Sequence, residues 1–255
     1  MINDSKTTWV GADAQIRSDI LSLNYPIEQG IVTNWDDMQE IWNYQFTHDL
    51  KIFPDCNPIM LTEPPLNPRG NREKMAELMF ESFQVPALYL GLQAVLAWWS
   101  TSPRGASLVI DSGDGVTHIV PVLEGFAVSH GIQRFDVAGA DLTRYLMRCL
   151  HESGHDFVTS AKVDTIKDIK EKLCYVASDF YHQTEDVASY ELPDSRVIKV
   201  GSPRFKAPEA LFRPKLLGME TPGIHEIVRD SISKCDVNIH MKNLFWLAAL
   251  LCFLD

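Results

Sequence analysis

Hydrophobic residues recur at helical spacing in four long segments, which predicts four amphipathic helices. The segments are 34–46, 71–83, 141–152 and 164–176. On the last of them, the polar residues Lys167, Lys170 and Glu171 share the face opposite the apolar one. We expect that polar face to meet solvent or a ligand.

Shorter apolar runs predict β-strands and one buried helix. The runs cover 59–62, 87–99, 108–110 and 116–122. The last two are separated by the sequence DSGDG, which predicts a β-hairpin. The run 87–99 is long enough for a strand and a buried helix around Gln93, whose amide then needs a partner in the core. Farther along, 190–198 predicts a hairpin that turns at 193–195, and 208–212 predicts a short helical turn.

The composition is that of an ordinary globular protein. The chain has 255 residues, of which 45% are hydrophobic and 22% charged, so it fits one large or two intimate domains. Its formal net charge of −11 disfavours binding to nucleic acid or to anionic membrane surfaces. Small molecules or proteins are therefore the expected partners.

The cysteines and the two ends of the chain favour the interior of the cell. The five cysteines lie far apart without CxxC spacing, which predicts reduced thiols rather than disulfides or a zinc site. Residues 1–10 lack the apolar segment of a secretory signal. The apolar run 244–254 is shorter than the roughly 20 residues needed to span a membrane. It predicts a buried helix or strand, with anchoring at a membrane interface as the alternative.

The DSGDG hairpin is the first candidate for a phosphate-binding site. Gly113 and Gly115 let the backbone turn tightly, so that successive N–H groups can surround a phosphate. Asp111, at the end of a strand, can orient a hydrated Mg²⁺ on such phosphates. The alternative is a plain Asp/Gly hairpin turn, which so short a motif favours.

Two further features add to this candidate. A glycine turn at Gly139 opens a predicted helix, and helix N-termini bind anions. His118 follows the hairpin loop on a strand, where it is either a packed core histidine or a proton relay near neutral pH.

Five sequence blocks occur in a fixed order along the chain. They are YPIEQGIVTNWDDMQEIW (25–42), LTEPPLNPRGNREKMAELMFESF (61–83), DSGDGVTHIVPVLEGFAV (111–128), IKEKLCYVASDF (169–180) and APEALFRPKLLGME (207–220). Together they resemble the actins, and the similarity runs from about residue 10 to about residue 237. A sugar kinase or a heat-shock ATPase of the same two-lobed architecture fits these blocks less well.

The resemblance implies an α/β, two-lobed actin-like ATPase fold that closes on ATP and a divalent ion, Mg²⁺ or Ca²⁺. It implies four parts along the chain. These are a remnant of the small subdomain 2 (1–25), a subdomain 1-like part (26–101), a subdomain 3-like part (102–137 and 220–255) and a subdomain 4-like part (138–219).

The resemblance also assigns roles to individual residues. Gln93 orients the attacking water, His118 assists proton transfer, and Asp111 holds the cation through water. Arg134 lies on the phosphate exit route. The implied nucleotide-binding residues are Gly113, Asp114, Gly115, Val116, Gly139, Lys170 and Glu171. The first four act through their amides on the β- and γ-phosphates, Gly139 approaches from the other half, and the last two contact adenosine.

The sequence departs from the actin pattern in several places. No D-N-G-S-G type phosphate loop precedes Val10, and no adenine loop of the L-S-G-G and M-Y-P-G type follows Asp236. Gln29 stands in place of a commonly methylated histidine, and Ala140 in place of an arginine. We therefore expect an incomplete version of the fold with impaired ATP hydrolysis, because phosphate contacts are lost.

The implied function is that of an ATP-binding, actin-like cytoskeletal protein of the cytoplasm that forms or joins filaments. Its expected partners are actin-like protomers or conventional actin, together with actin-binding proteins, and neither nucleic acid nor a membrane span. The alternative is a non-catalytic actin-like interaction protein, which keeps the surface of 87–99 for partners, or an aberrant actin fragment.

Overall fold

A computed structural model describes the chain over 9–17, 20–101, 105–155, 163–184, 186–235 and, for the backbone, 241–247. Internal contacts divide the chain into two compact units, Met1–Gln93 and Ala94–Asp255. The four-part subdomain division stays a prediction.

The first unit contains a short hairpin, a pair of parallel strands and helices packed beside them. Its elements are α1 (Ala12–Gln15), β1 (Ile27–Glu28), β2 (Ile31–Val32), α2 (Trp35–Tyr44), β3 (Ile59–Glu63), α3 (Arg69–Glu77) and β4 (Leu88–Leu92). Strands β1 and β2 pair antiparallel, and β3 pairs parallel with β4. Both α2 and α3 continue into a π-helical turn, at Gln45–Asp49 and Leu78–Ser82.

The core of this unit lies between the two longer helices and the β3–β4 pair. Trp42 and Phe46 from α2 and its extension pack with Met75, Met79 and Ile59. The helix begins where the sequence predicts, because the side chain of Asn34 accepts a hydrogen bond from the amide of Asp37 at 3.1 Å.

The second unit is built on a mixed sheet. Its elements are α4 (Gln93–Ser100), β5 (Ala106–Ser112), β6 (Thr117–Leu123), β7 (Phe126–Ala127), β8 (Gln133–Phe135), α5 (Gly139–Glu152), α6 (Val163–Leu173), β9 (Ala188–Glu191), β10 (Val197–Val200), α7 (Pro203–Glu209), α8 (Ile224–Lys234) and β11 (Met241–Leu247). The sheet order is β11-β5-β6-β7, with β8 also on β6, and β11 runs parallel to β5. Strands β9 and β10 form a separate hairpin.

Strands β5 and β6 are buried on both faces, which explains their nearly continuous apolar sequence. Leu108 and Ile110 face a cluster that includes Leu142 of α5 and Ile224 of α8. Val109 and its neighbours on β6 face Trp98 of α4 instead. A second cluster joins α5, α6 and the β9–β10 hairpin.

The predicted helices and hairpins are confirmed, with small shifts of their ends. Helix α5 begins at Gly139, two residues before the apolar pattern does. The predicted helical turn at 208–212 is confirmed, with Leu211 N–H bonded to the Pro208 carbonyl and Phe212 N–H to that of Glu209. It continues α7, which begins earlier, at Pro203. The run 244–254 is a strand as far as Leu247, and its remainder lies outside the described residues. No helix in the described ranges is both long and apolar enough to cross a membrane.

Two expectations about burial are wrong. Gln93 was expected in the core, but it is exposed and its amide donates to the Thr62 hydroxyl at 3.4 Å. Lys170 was expected on the polar face of its helix, but it is fully buried. In both cases the neighbouring element decides, since β3 supplies the partner of Gln93 and α5 covers Lys170.

Candidate functional site

The β5–β6 hairpin closes on a loop of four residues, 113–116, called the hairpin loop below. Ser112 and Thr117 are opposite each other at its base, and their hydroxyls are 2.8 Å apart. Thr117 Oγ1 also donates to the carbonyl of Val137 at 2.8 Å, so Ser112 is the donor to Thr117. These buried bonds fix the loop to the chain segment that leads into α5.

The main-chain N–H groups of the hairpin loop are mostly unused by the protein. The amide of Gly113 donates to the carbonyl of Val116 at 3.1 Å. Within the described residues, the amides of Asp114, Gly115 and Val116 have no acceptor. Three consecutive free N–H groups are what an anion-binding turn requires.

The glycines of the loop are not needed for its backbone conformation. Neither Gly113 nor Gly115 has a positive φ, contrary to the tight-turn argument from sequence. A Cβ added at Gly113 would meet only the carbonyl oxygen of Val116, at 3.8 Å. The fold itself therefore tolerates a side chain at Gly113.

The start of α5 is tied to the hairpin loop by two main-chain hydrogen bonds. The amide of Gly139 donates to the carbonyl of Gly113 at 3.0 Å, and that of Ala140 to the carbonyl of Asp114 at 2.8 Å. The side chain of Asp141 accepts from the amide of Ala138 at 3.0 Å. The helix start is thus tied to the loop through its amides. The role of Gly139 in nucleotide binding stays a prediction.

Asp111 and His118 are opposite each other on β5 and β6, and their side chains therefore share one face of the sheet. Burial raises the pKa of Asp111. His118 is 3% exposed, and burial, helped by the charge of Arg134, lowers its pKa to about 4 although Asp136 opposes this. His118 Nε2 has no hydrogen-bond partner in the described part of the chain. The imidazole is therefore neutral at physiological pH.

Lys170 lies behind the start of α5. Its Nζ donates to the carbonyl of Gly139 at 2.9 Å and to Thr143 Oγ1 at 2.8 Å. Thr143 Oγ1 in turn donates to the same Gly139 carbonyl at 2.9 Å. No pattern in the sequence points to Thr143, since a threonine inside a helix is ordinary. Glu171 is half-buried on the next position of α6.

Gln93 begins α4 but is the last residue of the first unit. It lines a cavity of about 340 Å³ there, together with residues of β3, α2 and α3. The buried carboxylate of Glu63 also lines this cavity, where Arg72 and Asn67 bind it at 3.1 and 3.0 Å.

Among the described residues, no group of three or more His, Cys, Asp or Glu side chains could hold a metal ion. One carboxylate at Asp111 beside free amides still suits Mg²⁺, which keeps most of its waters and takes few protein ligands. Lys167 Nζ, 3.9 Å from Asp114 Oδ1, adds positive charge beside the loop.

Comparison with known proteins agrees with this architecture. A family model described as Actin matches residues 2–245. An "Actin-like protein" of Neurospora crassa is 47% identical over 230 residues, a match that covers 86% of this chain and 60% of that protein. The chain therefore spans about 60% of the length of this relative. With its α/β actin-like fold, the chain belongs to the actin family.

Proposed function

We propose that the chain is an actin-like cytoskeletal protein of the cytoplasm, which binds Mg-ATP and forms or joins filaments. The single observation that carries nucleotide binding is the run of three free amides at Asp114, Gly115 and Val116. Backbone N–H groups bind phosphate irrespective of net charge, so the overall charge of −11 does not oppose this function.

The residues present fit a nucleotide and a divalent cation. The three free amides would bind the β- and γ-phosphates, while the amide of Gly113 stays engaged within the loop. Asp111 would hold the hydrated cation, which neutralises charge on the phosphates when bound. Glu171 and the half-buried surface of α6 would face the nucleoside.

For hydrolysis we propose the roles that the family resemblance implies. Gln93 would orient the attacking water, and its exposure leaves the amide accessible. His118 would accept a hydrogen bond from water as a neutral imidazole, since its pKa of about 4 keeps it unprotonated at neutral pH. The expectation of impaired hydrolysis stays a prediction.

Titration calorimetry with Mg-ATP tests nucleotide binding by the purified chain. We expect measurable affinity at micromolar to millimolar ATP, and a loss of its Mg²⁺ dependence in Asp111→Ala. The exposed carboxylate of Asp230, on α8 of the same unit, provides the control variant Asp230→Ala. Absence of binding at millimolar ATP, or an unchanged Mg²⁺ dependence in Asp111→Ala, would contradict the proposal.

One surface favours the second candidate, a non-catalytic interaction protein. In the second unit Trp99 is 61% exposed and Phe126 is 79% exposed. Gly125 lies directly against the Trp99 ring, since a Cβ added to this glycine would be only 2.7 Å from a ring atom. Exposed aromatic residues grouped in this way are typical of protein-binding surfaces.

Co-sedimentation with conventional actin, with and without ATP, distinguishes the two candidates. If the chain is a non-catalytic interaction protein, it should associate with conventional actin equally with and without ATP. The Trp99→Ser variant should associate more weakly. Tyr181→Ser, which changes an aromatic residue that is 76% exposed elsewhere in the unit, is the control. Association that requires ATP would favour the nucleotide-binding candidate instead.

A further inference from the structure

A buried polar cluster joins α5 to α6 directly behind the hairpin loop. It consists of Gly139, Thr143 and Lys170, and is called the Gly139 cluster below. The Gly139 carbonyl accepts from Lys170 Nζ at 2.9 Å and from Thr143 Oγ1 at 2.9 Å. Lys170 and Thr143 are 0% and 2% exposed.

Lys170 is unusual because its charge is enclosed among neutral groups. Its two acceptors are a carbonyl and a hydroxyl, and no carboxylate of the described residues lies within ion-pair distance of it. Burying an ammonium group in this way is costly unless hydrogen bonds satisfy it. Here those bonds converge on a single peptide carbonyl.

The same residue, Gly139, is connected to the hairpin loop on its other side. Its amide donates to the Gly113 carbonyl at 3.0 Å, and the next amide, of Ala140, donates to the Asp114 carbonyl at 2.8 Å. Lys170 and Thr143 therefore act on the loop through the start of α5. These two hydrogen bonds hold the orientation of the three free amides that follow Gly113.

We propose that Thr143 and Lys170 are positioning residues, which orient the amides of the hairpin loop toward polyphosphate through Gly139. This inference rests on the proposed nucleotide-binding function and changes the role of Lys170 within it. Because its ammonium group is fully enclosed and donates to the Gly139 carbonyl and to Thr143, Lys170 is placed to act on the hairpin loop through Gly139. Thr143 becomes a second residue of the site, one that the sequence did not indicate.

The test compares Mg-ATP with Mg-tripolyphosphate, a probe without a nucleoside. Thr143→Val keeps the side-chain volume but removes the hydroxyl, while Thr143→Ser retains it and is the rescue control. We expect Thr143→Val to weaken the affinity for both ligands by about tenfold, the effect of one or two misplaced hydrogen bonds to a charged group. Thr143→Ser should bind both like the native chain, and Lys170→Met should weaken both by a similar factor.

Amide hydrogen exchange in the ligand-free chain gives an independent readout. In Thr143→Val, exchange at Gly139 and Ala140 should accelerate severalfold, because their carbonyl partners in the loop are no longer held. Exchange at Ile119, in the middle of β6, should not change and so reports on overall folding. Thr143→Ser should restore slow exchange.

The outcomes separate the two proposals. If the native chain binds Mg-ATP but Thr143→Val binds both ligands equally well, the positioning role is overturned and the nucleotide-binding function stands. A Lys170→Met variant that loses affinity for ATP alone would show contact with the nucleoside and also overturn the positioning role. If the native chain binds neither ligand, both proposals fail.

Discussion

Acidification should destabilise the second unit through His118. The pKa of this histidine is about 4 in the folded protein, against about 6.5 in an unfolded chain. Between these two pH values the unfolded chain binds a proton that the folded chain does not, so unfolding becomes easier as the pH falls. The contribution of His118 is complete above pH 6.5 and is lost by about pH 4. The shift corresponds to about 3 kcal/mol as an upper value.

The structural cause of this effect is burial. His118 is 3% exposed and lies on β6 between Asp111 on β5 and Arg134 on β8. Protonation would place a second positive charge near Arg134 in a site with no partner for Nε2 among the described residues. The nearby carboxylate of Asp136 offsets only part of this cost, because it is paired with Arg134 at 2.6 Å.

Urea unfolding measured at several pH values between 7 and 4 provides the assay. In the native chain the free energy of unfolding should fall over this range, and His118→Gln should remove about 2–3 kcal/mol of that fall, because it does not titrate. His151→Gln, which changes an exposed histidine of α5, is the matched control variant. If the free energy of unfolding falls with pH equally in the native chain and in His118→Gln, His118 does not cause the loss of stability.

Three further predictions use matched variants. Gly113→Ala should keep or raise the free energy of unfolding by up to about 1 kcal/mol, since the fold has room for a methyl group, but should weaken Mg-ATP binding in calorimetry; unchanged affinity would contradict a ligand at the loop. Glu63→Gln should cost about 2 kcal/mol in urea unfolding, because Glu63 is a buried carboxylate bound by Arg72 and Asn67. Glu73→Gln breaks an exposed ion pair and should cost less than about 0.5 kcal/mol; equal costs would show that burial of Glu63 adds nothing to its ion pair. Gly125→Ala should lower the thermal midpoint more than Gly105→Ala, since both have a positive φ but only the former meets an aromatic ring; equal shifts would show that the ring moves aside.

Much of the fold follows from local sequence patterns. The helical spacing in 34–46 and 141–152 predicts α2 and α5, because one face of a surface helix must be apolar wherever it packs. The DSGDG segment predicts the β5–β6 hairpin and the place of the free amides. The reason is that Asp/Gly turn residues between two β-branched runs favour a hairpin over other local structures. Asp111 is therefore placed correctly at the end of a strand.

Burial and hydrogen-bond partners were decided by tertiary structure. Lys170 has the spacing of an exposed residue on α6, yet α5 packs over it and supplies both acceptors from residues far away in the sequence. Gln93 has the surroundings of a core residue, yet it is exposed beside β3. Periodicity describes one element at a time and carries no information about which other element covers each face.

The sequence by itself thus determined the family, the order of the elements and the loop that is the candidate phosphate site. Only the tertiary structure decided that Gly113 needs no special φ, that its amide is engaged, and that the amides of Gly139 and Ala140 bond to the hairpin loop. The physical reason is that a backbone N–H group is free or engaged according to the carbonyl groups that folding brings near it. Those carbonyl groups belong to segments that no local pattern connects.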